Sequence, residues 1–197
     1  MQTKNVDSKL LHLRSVSFLQ PHKNYFMISA PKPGEYQPYF EQYIKEVSDD
    51  ADILAWLEDI IMDTEEIILA LPKSKHEYRY AEGKWTIKEI LQHLIDTERI
   101  MCYRAMCIAR GEQASLPGFE EDDYAAKSFA NKRTVDALLD EFDMVRNCTI
   151  ALFKSFDTSV LETIGTANGK QISVRALAYI IAGHELHHMK VIQERYV

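Results

Sequence analysis

Cysteine is scarce in this sequence, and neither a secretion leader nor a membrane span can be recognised. Cys102, Cys107 and Cys148 are the three cysteines in 197 residues. An odd number without C-x-x-C spacing excludes a disulfide scaffold or a cysteine-rich zinc module. No apolar run approaches the ~18 residues of a membrane-spanning helix, and no basic segment followed by an apolar core opens the chain. We therefore expect a protein of the reducing cytoplasm that has no membrane partner.

Positive charge is also in short supply. The chain has 23 lysines and arginines against 30 aspartates and glutamates, which gives a formal net charge of −7. Because phosphates need a basic surface, this balance predicts that nucleic acid is not a partner. The hydrophobic content of 46% is ordinary for a globular protein, and the length suits one domain with its own core.

The first 34 residues lack the sustained periodicity of the rest of the chain. A segment rich in proline and glycine, residues 30–34, closes this stretch, and termini of such composition are usually poorly ordered. We therefore predict a poorly ordered N-terminal extension over residues 1–34, with Met27 as an alternative natural start. The folded domain is predicted to span residues 35–197.

Four helices are predicted from apolar residues that recur every three or four positions. They span about residues 50–70, 86–110, 134–156 and 173–195. Thr86 and Glu89 form a capping box at the start of the second helix, and Ser173 is a good N-cap for the fourth. The dipeptide Asn168-Gly169 predicts a small β-hairpin between the third and fourth helices.

The fold class that follows is all-α, a four-helix bundle with a small β-hairpin between its third and fourth helices. The connection over residues 111–133 is long for a bundle. Because such a connection can cross a bundle end, the second and third helices need not be antiparallel.

Two histidines interrupt the apolar seam of the last helix. Leu177, Ile181, His184, His188 and Val191 follow one another at alternating steps of four and three residues, so they share the face that points to the bundle core. Burying two imidazoles without partners would cost about 1–3 kcal/mol each. Rings one turn apart on one face can chelate a single ion, and we predict that His184 and His188 are metal ligands.

The same helix matches the zinc-protease pattern H-E-x-x-H from His184 to His188. Such a protease needs a third ligand well downstream, whereas nine residues follow His188. We therefore disfavour a protease and expect the third ligand upstream. Glu185 is a weak candidate catalytic residue that would orient a water or a ligand ring, and an exposed helix carboxylate is the alternative.

His93 is the best upstream candidate for the third ligand. It lies roughly 10 Å from the start of the second helix, and the pair formed by His184 and His188 lies roughly 13 Å from the end of the fourth. If these two helices are antiparallel neighbours, all three rings reach the same level. Three imidazoles leave coordination positions open for exogenous ligands, as catalytic sites do.

The remaining polar and sulfur-containing residues have ordinary interpretations. The three cysteines are expected to be small core residues, and His187 is expected to lie at the surface or beside the ligands. Asp96 and Glu98 are interpreted as exposed carboxylates. A solvated helix face is the interpretation for Arg99, Arg104 and Arg110.

The segment from Gly83 to Arg99, with His93 inside it, resembles the second-helix signature of the DinB-like (YfiT-type) superfamily. The last helix with His184 and His188 resembles that family too, as do the segments 116–119 and 166–169. The resemblance implies an up-down-down-up bundle in which His93, His184 and His188 hold a divalent metal, zinc or nickel. It also implies a possible homodimer, because dimers are common in the family.

The resemblance further implies two kinds of activity. Relatives include thiol S-transferases that use low-molecular-weight thiols, a mycothiol-dependent isomerase and proteins called metal-dependent hydrolases. We therefore predict a metal-dependent enzyme that activates a thiol cosubstrate or water against a small-molecule substrate, with S-transfer slightly ahead of hydrolysis. The alternative is a non-catalytic metal-binding bundle that acts as a structural or interaction module.

Overall fold

The computed structural model describes residues 27–197, so most of the predicted N-terminal extension lies outside the described residues. Within that range no helix is long and apolar enough to cross a membrane. The predicted fold class is confirmed. The elements are α1 Glu41–Ile44, α2 Ile53–Leu69, α3 Ile87–Ala109, α4 Glu121–Lys127, α5 Val135–Lys154, β1 Ile164–Ala167, β2 Lys170–Ser173 and α6 Val174–Arg195.

The four long helices begin where side chains cap them. Asp52, Thr134 and Ser173 each accept hydrogen bonds from backbone N–H groups in the first turn of α2, α5 and α6. Thr86 and Glu89 form the predicted capping box at the start of α3. These bonds satisfy N–H groups that have no partner inside the helix, which fixes where each helix begins.

Contacts between the long helices give the up-down-down-up order. Lys154, at the end of α5, pairs with Glu58 near the start of α2, so these two helices are antiparallel. The hydroxyl of Tyr196, just beyond α6, donates to the carbonyl of Trp85, just before α3, at 2.6 Å. Helices α3 and α6 are therefore antiparallel. This is the arrangement that was expected to bring His93, His184 and His188 to the same level.

The chain between α3 and α5 runs back along α3 instead of reversing tightly. Near the end of α3, Arg104 donates to the carbonyl of Pro117 at 2.8 Å. Near its start, Asn131 donates to Glu89 at 2.9 Å and accepts from Thr86 at 2.8 Å. Because the connection returns to the start of α3, α5 begins there and lies parallel to α3. The connection also carries α4, a seven-residue helix too short to show a periodic pattern.

The hairpin forms at the predicted dipeptide. Asn168 and Gly169 have φ values of 51° and 68°, the positive values that a type I′ turn requires. Leu116 pairs with this hairpin, because its N–H donates to Thr166 and its carbonyl accepts from Asn168, at 2.9 and 2.8 Å. The hairpin therefore anchors the loop of residues 116–119.

Residues 28–35 pack against the start of α6. Ile28 is fully buried, and its carbonyl accepts a hydrogen bond from the hydroxyl of Tyr179 at 3.2 Å. The buried guanidinium of Arg175 pairs with Glu35 and donates to the Ser29 hydroxyl. This segment leads into α1, the short helix that reaches the histidines.

Gly183 allows α1 to lie directly against α6. A Cβ atom at this position would overlap with the backbone carbonyl of Tyr43. A glycine to alanine change inside a helix normally stabilises it by about 1 kcal/mol. Here we expect Gly183→Ala to lower the free energy of unfolding by about 1–3 kcal/mol, since backbone must move. Urea denaturation checks this, and a stabilised variant would contradict the close approach.

Candidate metal centre

Three imidazoles from two helices converge inside the bundle. The Nε2 atom of His184 lies 3.1 Å from Nε2 of His93 and 3.1 Å from Nε2 of His188. One ligand atom from each of the three rings can be chosen so that all lie within 4.8 Å of one another. His93 comes from α3 and the other two come from one face of α6. The structure thus brings together the three residues that the sequence analysis selected.

The donor set fits one divalent cation better than it fits a hydrogen-bond network. A ring nitrogen of neutral imidazole can donate one hydrogen bond or accept one. Nε2 of His184 cannot serve two neighbours well at the same distance. Three nitrogens about 2.0–2.1 Å from a zinc ion in tetrahedral geometry would lie about 3.3 Å apart. The two separations that involve His184 are close to that value.

The three rings are held in the uncharged form that binds metals. His93 and His184 are 5% and 8% exposed. Burial lowers the pKa of His93 to about 4, although nearby Asp122 opposes this shift. Burial also lowers the pKa of His188 to about 3, and burial with the neighbouring imidazoles lowers that of His184. At neutral pH each ring therefore has a free lone pair for a cation.

Two aromatic side chains enclose the imidazoles. The Trp85 ring lies 4.6 Å from the ring of His93 and stacks on His188 at 6.4 Å with an interplanar angle of 18°. Tyr43 packs edge-on against His184 at 5.3 Å and against His187 at 5.5 Å. Such contacts fix ring orientations and reduce water access. Sequence reasoning missed both, although Trp85 stands inside the segment that carries the family resemblance.

A buried ion cluster adjoins the histidines. Arg146 donates to both oxygens of Glu98 at 2.9 and 2.8 Å, to Glu185 at 2.5 Å and to the carbonyl of Leu57 at 2.7 Å. The other oxygen of Glu185 accepts from Thr64 at 2.7 Å. Two carboxylates thus face one guanidinium. When both are ionised the cluster carries one excess negative charge beside His184.

The cluster corrects two interpretations made from the sequence. Glu185 and Glu98 are 1% and 3% exposed, whereas an exposed carboxylate was the interpretation for Glu98 and the alternative interpretation for Glu185. Burial raises the pKa of Glu185 although Arg146 opposes this. A small cavity adjoins both glutamates and His184, and its lining also includes Thr97.

Arg146 was not singled out in the sequence, although a signal existed. It stands four residues after Phe142 and three before Thr149, on the buried stripe of α5. A charged residue on such a stripe needs a partner from another helix. The spacing within α5 carries no information on which carboxylate that partner is.

Two further interpretations made from the sequence are corrected, those of Cys148 and Arg104. Cys148 is exposed, so the prediction that every cysteine packs in the core is wrong for it. Cys102 contacts the Thr149 hydroxyl at 3.1 Å, and burial raises its pKa to about 12, so its thiol stays protonated. Arg104 is buried, which contradicts the solvated face expected for it. His187 packs against Tyr43 and is outside the set of converging rings.

The lowered imidazole pKa values predict a pH-dependent stability of the metal-free protein. Each histidine has a folded pKa below its ordinary value of 6.5, so the unfolded chain takes up protons first as pH falls. The contribution of the uncharged imidazoles to the free energy of unfolding is therefore complete above about pH 6.5. As the pH falls from that value to about pH 3–4, this contribution is lost progressively.

This pH dependence can be measured by urea denaturation in the presence of a chelator. We expect the free energy of unfolding of the wild type to fall more steeply between pH 7 and 5 than that of His93→Gln. The difference between the two curves isolates the imidazole, because their carboxylates are the same. Parallel curves would show that His93 titrates normally in the folded protein.

Two comparisons with known sequences each match about 70% of the chain. The sequence profile of the DinB superfamily matches residues 57–192. A protein of Oceanobacillus iheyensis named "putative metal-dependent hydrolase" is 24% identical over 143 residues, which cover 70% of this chain and 82% of that protein. The matched range contains the three converging histidines.

A solved structure shares the fold. YfiT from Bacillus subtilis, described as "a probable metal-dependent hydrolase with an unusual four-helix bundle topology", aligns with a TM-score of 0.68 and 17% identity. The alignment covers 85% of this chain and 94% of YfiT. At this identity the likeness establishes the bundle topology. The family profile spans well over half of the chain, and we conclude that the protein belongs to the DinB superfamily.

Proposed function

We propose that this protein is a metal-dependent enzyme acting on a small molecule, with His93, His184 and His188 as the ligands of one divalent cation. The observation that carries the proposal is the convergence of three uncharged imidazole nitrogens from two helices. A relative and a structural neighbour are both described as metal-dependent hydrolases. Zinc and nickel are the proposed metals, because imidazole ligands suit both.

When bound by these three imidazoles, a divalent cation would lower the pKa of a coordinated water or thiol and so would supply a nucleophile at neutral pH. The nucleophile then comes from solvent or from a low-molecular-weight thiol, so the protein need not supply one. With water the reaction is hydrolysis. With a thiol the reaction is S-transfer, in which the sulfur bonds to an electrophilic carbon. The thiol proton then passes to the leaving group in a substitution, or to the adjacent carbon in an addition. We place S-transfer slightly ahead, on family resemblance alone.

The protein's own residues would position and shield the reacting groups. Trp85 and Tyr43 pack on the imidazoles and would limit the access of water to them. Glu185 has both oxygens engaged by Thr64 and Arg146, so we assign it a supporting electrostatic role instead of proton transfer. The excess negative charge of its cluster would favour a cation at the neighbouring imidazoles.

The test combines metal analysis with two assays on the full chain. Metal content is measured first, and then zinc- and nickel-loaded protein is assayed for addition of small thiols to electrophiles and for hydrolysis of activated esters. We expect one metal per chain and an activity that a chelator removes and the metal restores. Metal that raises the melting temperature without supporting either reaction would favour the non-catalytic bundle. A homodimer is also proposed, and light scattering on the same preparation tests it.

A further inference from the structure

Arg104 is a buried cation without an acidic partner. It is 6% exposed on α3, and no carboxylate among residues 27–197 counters the burial that lowers its pKa. Its Nη2 donates to the carbonyl of Pro117 at 2.8 Å, and its Nη1 contacts the sulfur of Met101 at 3.7 Å. Its Nε is buried and has no hydrogen-bond partner in the described chain. A guanidinium has five N–H donors, so most of them are unused.

The other buried arginines of the described chain show what is unusual about Arg104. Arg146 pairs with Glu98 and Glu185, and Arg175 likewise pairs with two glutamates. An unpaired buried charge costs several kcal/mol. Ionisable groups that are buried without a partner are frequently found at functional sites, where they bind a ligand or take part in a reaction.

Arg104 lies on the same side of α3 as His93. The two residues are eleven positions apart, which is about three turns, with an angular offset of about 20° and a separation of about 16 Å. Helical side chains lean toward the helix N-terminus, so the guanidinium is directed toward the histidine end of α3. Its contact with Met101, three residues earlier, agrees with this direction.

The guanidinium lies just beneath the protein surface. The loop of residues 116–119 covers it, and the Phe119 ring centroid lies 6.0 Å from its Cζ atom. Pro117 and Gly118 are exposed, and Ile100 and Cys107, one turn before and after Arg104, are half-buried. The exposed loop therefore offers an anion a short approach to the unused donors.

We propose that Arg104 binds a carboxylate, phosphate or sulfonate group of the small molecule whose reacting end lies at the three histidines. The identity of this molecule as substrate or cosubstrate rests on the proposed function, whereas the anion site itself does not. Guanidinium groups bind such anions through paired, charge-assisted hydrogen bonds. An anion at this position would both neutralise the buried charge and orient the molecule along α3.

The experiment uses the full chain in excess chelator, so that no metal ion at the histidines can bind the added anion. Phosphate, sulfate and malonate are titrated at constant ionic strength while melting temperature and the Nε–H resonance of Arg104 are followed by calorimetry and NMR. We expect a saturable shift of that resonance and a rise of roughly 5–10 °C at a hundredfold excess over Kd. Arg104→Gln should abolish the rise. Arg110→Gln, which changes an exposed arginine directly after the end of α3, should retain it.

The proposal would be overturned by an equal rise in melting temperature in the wild type and Arg104→Gln. It would also be overturned if the Nε–H resonance of Arg104 did not move. The resonance is read in the wild type, so the result stands even if the glutamine variant fails to fold, and Arg104→Lys then serves as the second variant. Anion binding in a protein without metal-dependent activity would refute the proposed function alone. Activity without anion binding would refute the anion site alone.

Discussion

Replacement of His184 by alanine is expected to abolish stoichiometric binding of zinc or nickel. Its Nε2 is the central atom of the three, 3.1 Å from the nitrogens of both other histidines. Changes in residues that only support metal ligands already cost about 10–100-fold in affinity, so loss of the central ligand should cost more. Competition with a chromophoric chelator measures the affinity, and elemental analysis measures the content of the purified protein.

The same replacement should remove the stabilisation that metal gives. Free metal at a thousandfold excess over Kd adds about 4 kcal/mol to the free energy of unfolding, and the wild type should show an increase of that order. His187→Ala is the matched control, because His187 neighbours the site on α6 but is outside the converging set. Binding of metal by His184→Ala with wild-type affinity would refute the three-histidine centre.

The convergence of the three histidines could be predicted because it follows from regular helix geometry. His184 and His188 stand on an apolar seam of α6, and His93 lies at a matching level of α3, so helix geometry places all three together. The capping box at Thr86 and the turn at Asn168 are local signals, and the structure has both. Each of these inferences needs only the spacing within one helix or turn, plus one antiparallel pairing.

The parts that escaped prediction depend on contacts between segments far apart in sequence. The partners of Arg146 lie 48 and 39 residues away, and no spacing rule identifies them. Helix α1 has four residues, too few for a periodic pattern, yet it carries Tyr43 against His184. The burial of Arg104 depends on the path of the loop at 116–119. Apolar periodicity finds buried faces and does not reveal which charges those faces enclose.

Replacement of Arg146 by methionine is expected to be the most destabilising single change in the helical core. The arginine is 1% exposed, and its loss leaves Glu98 and Glu185 buried side by side without a cation. Removing one partner of a buried ion pair costs about 3–5 kcal/mol. Arg99→Met is the matched control, since Arg99 pairs with Glu141 at a half-exposed position, where such pairs contribute about 0–1 kcal/mol.

The pH dependence of the Arg146→Met variant separates the charge effect from a packing defect. Without the arginine, the two buried carboxyls should have pKa values above their ordinary range, because burial and mutual repulsion disfavour the charged forms. A group with a raised folded pKa stabilises the protein at low pH and loses that contribution as pH rises. The deficit of the variant relative to wild type should therefore be largest above pH 7 and shrink toward pH 5, as measured by urea denaturation.

Neutralising the carboxylates provides the final comparison for Arg146. The triple variant Glu98→Gln/Arg146→Met/Glu185→Gln carries no buried charge at the cluster, so it should recover part of the stability lost in Arg146→Met. It should also bind zinc more weakly than the wild type, because the excess negative charge beside His184 is gone. Recovered stability with unchanged zinc affinity would show that the cluster serves folding alone. Loss of both would show that these glutamates support the metal centre through packing instead of charge.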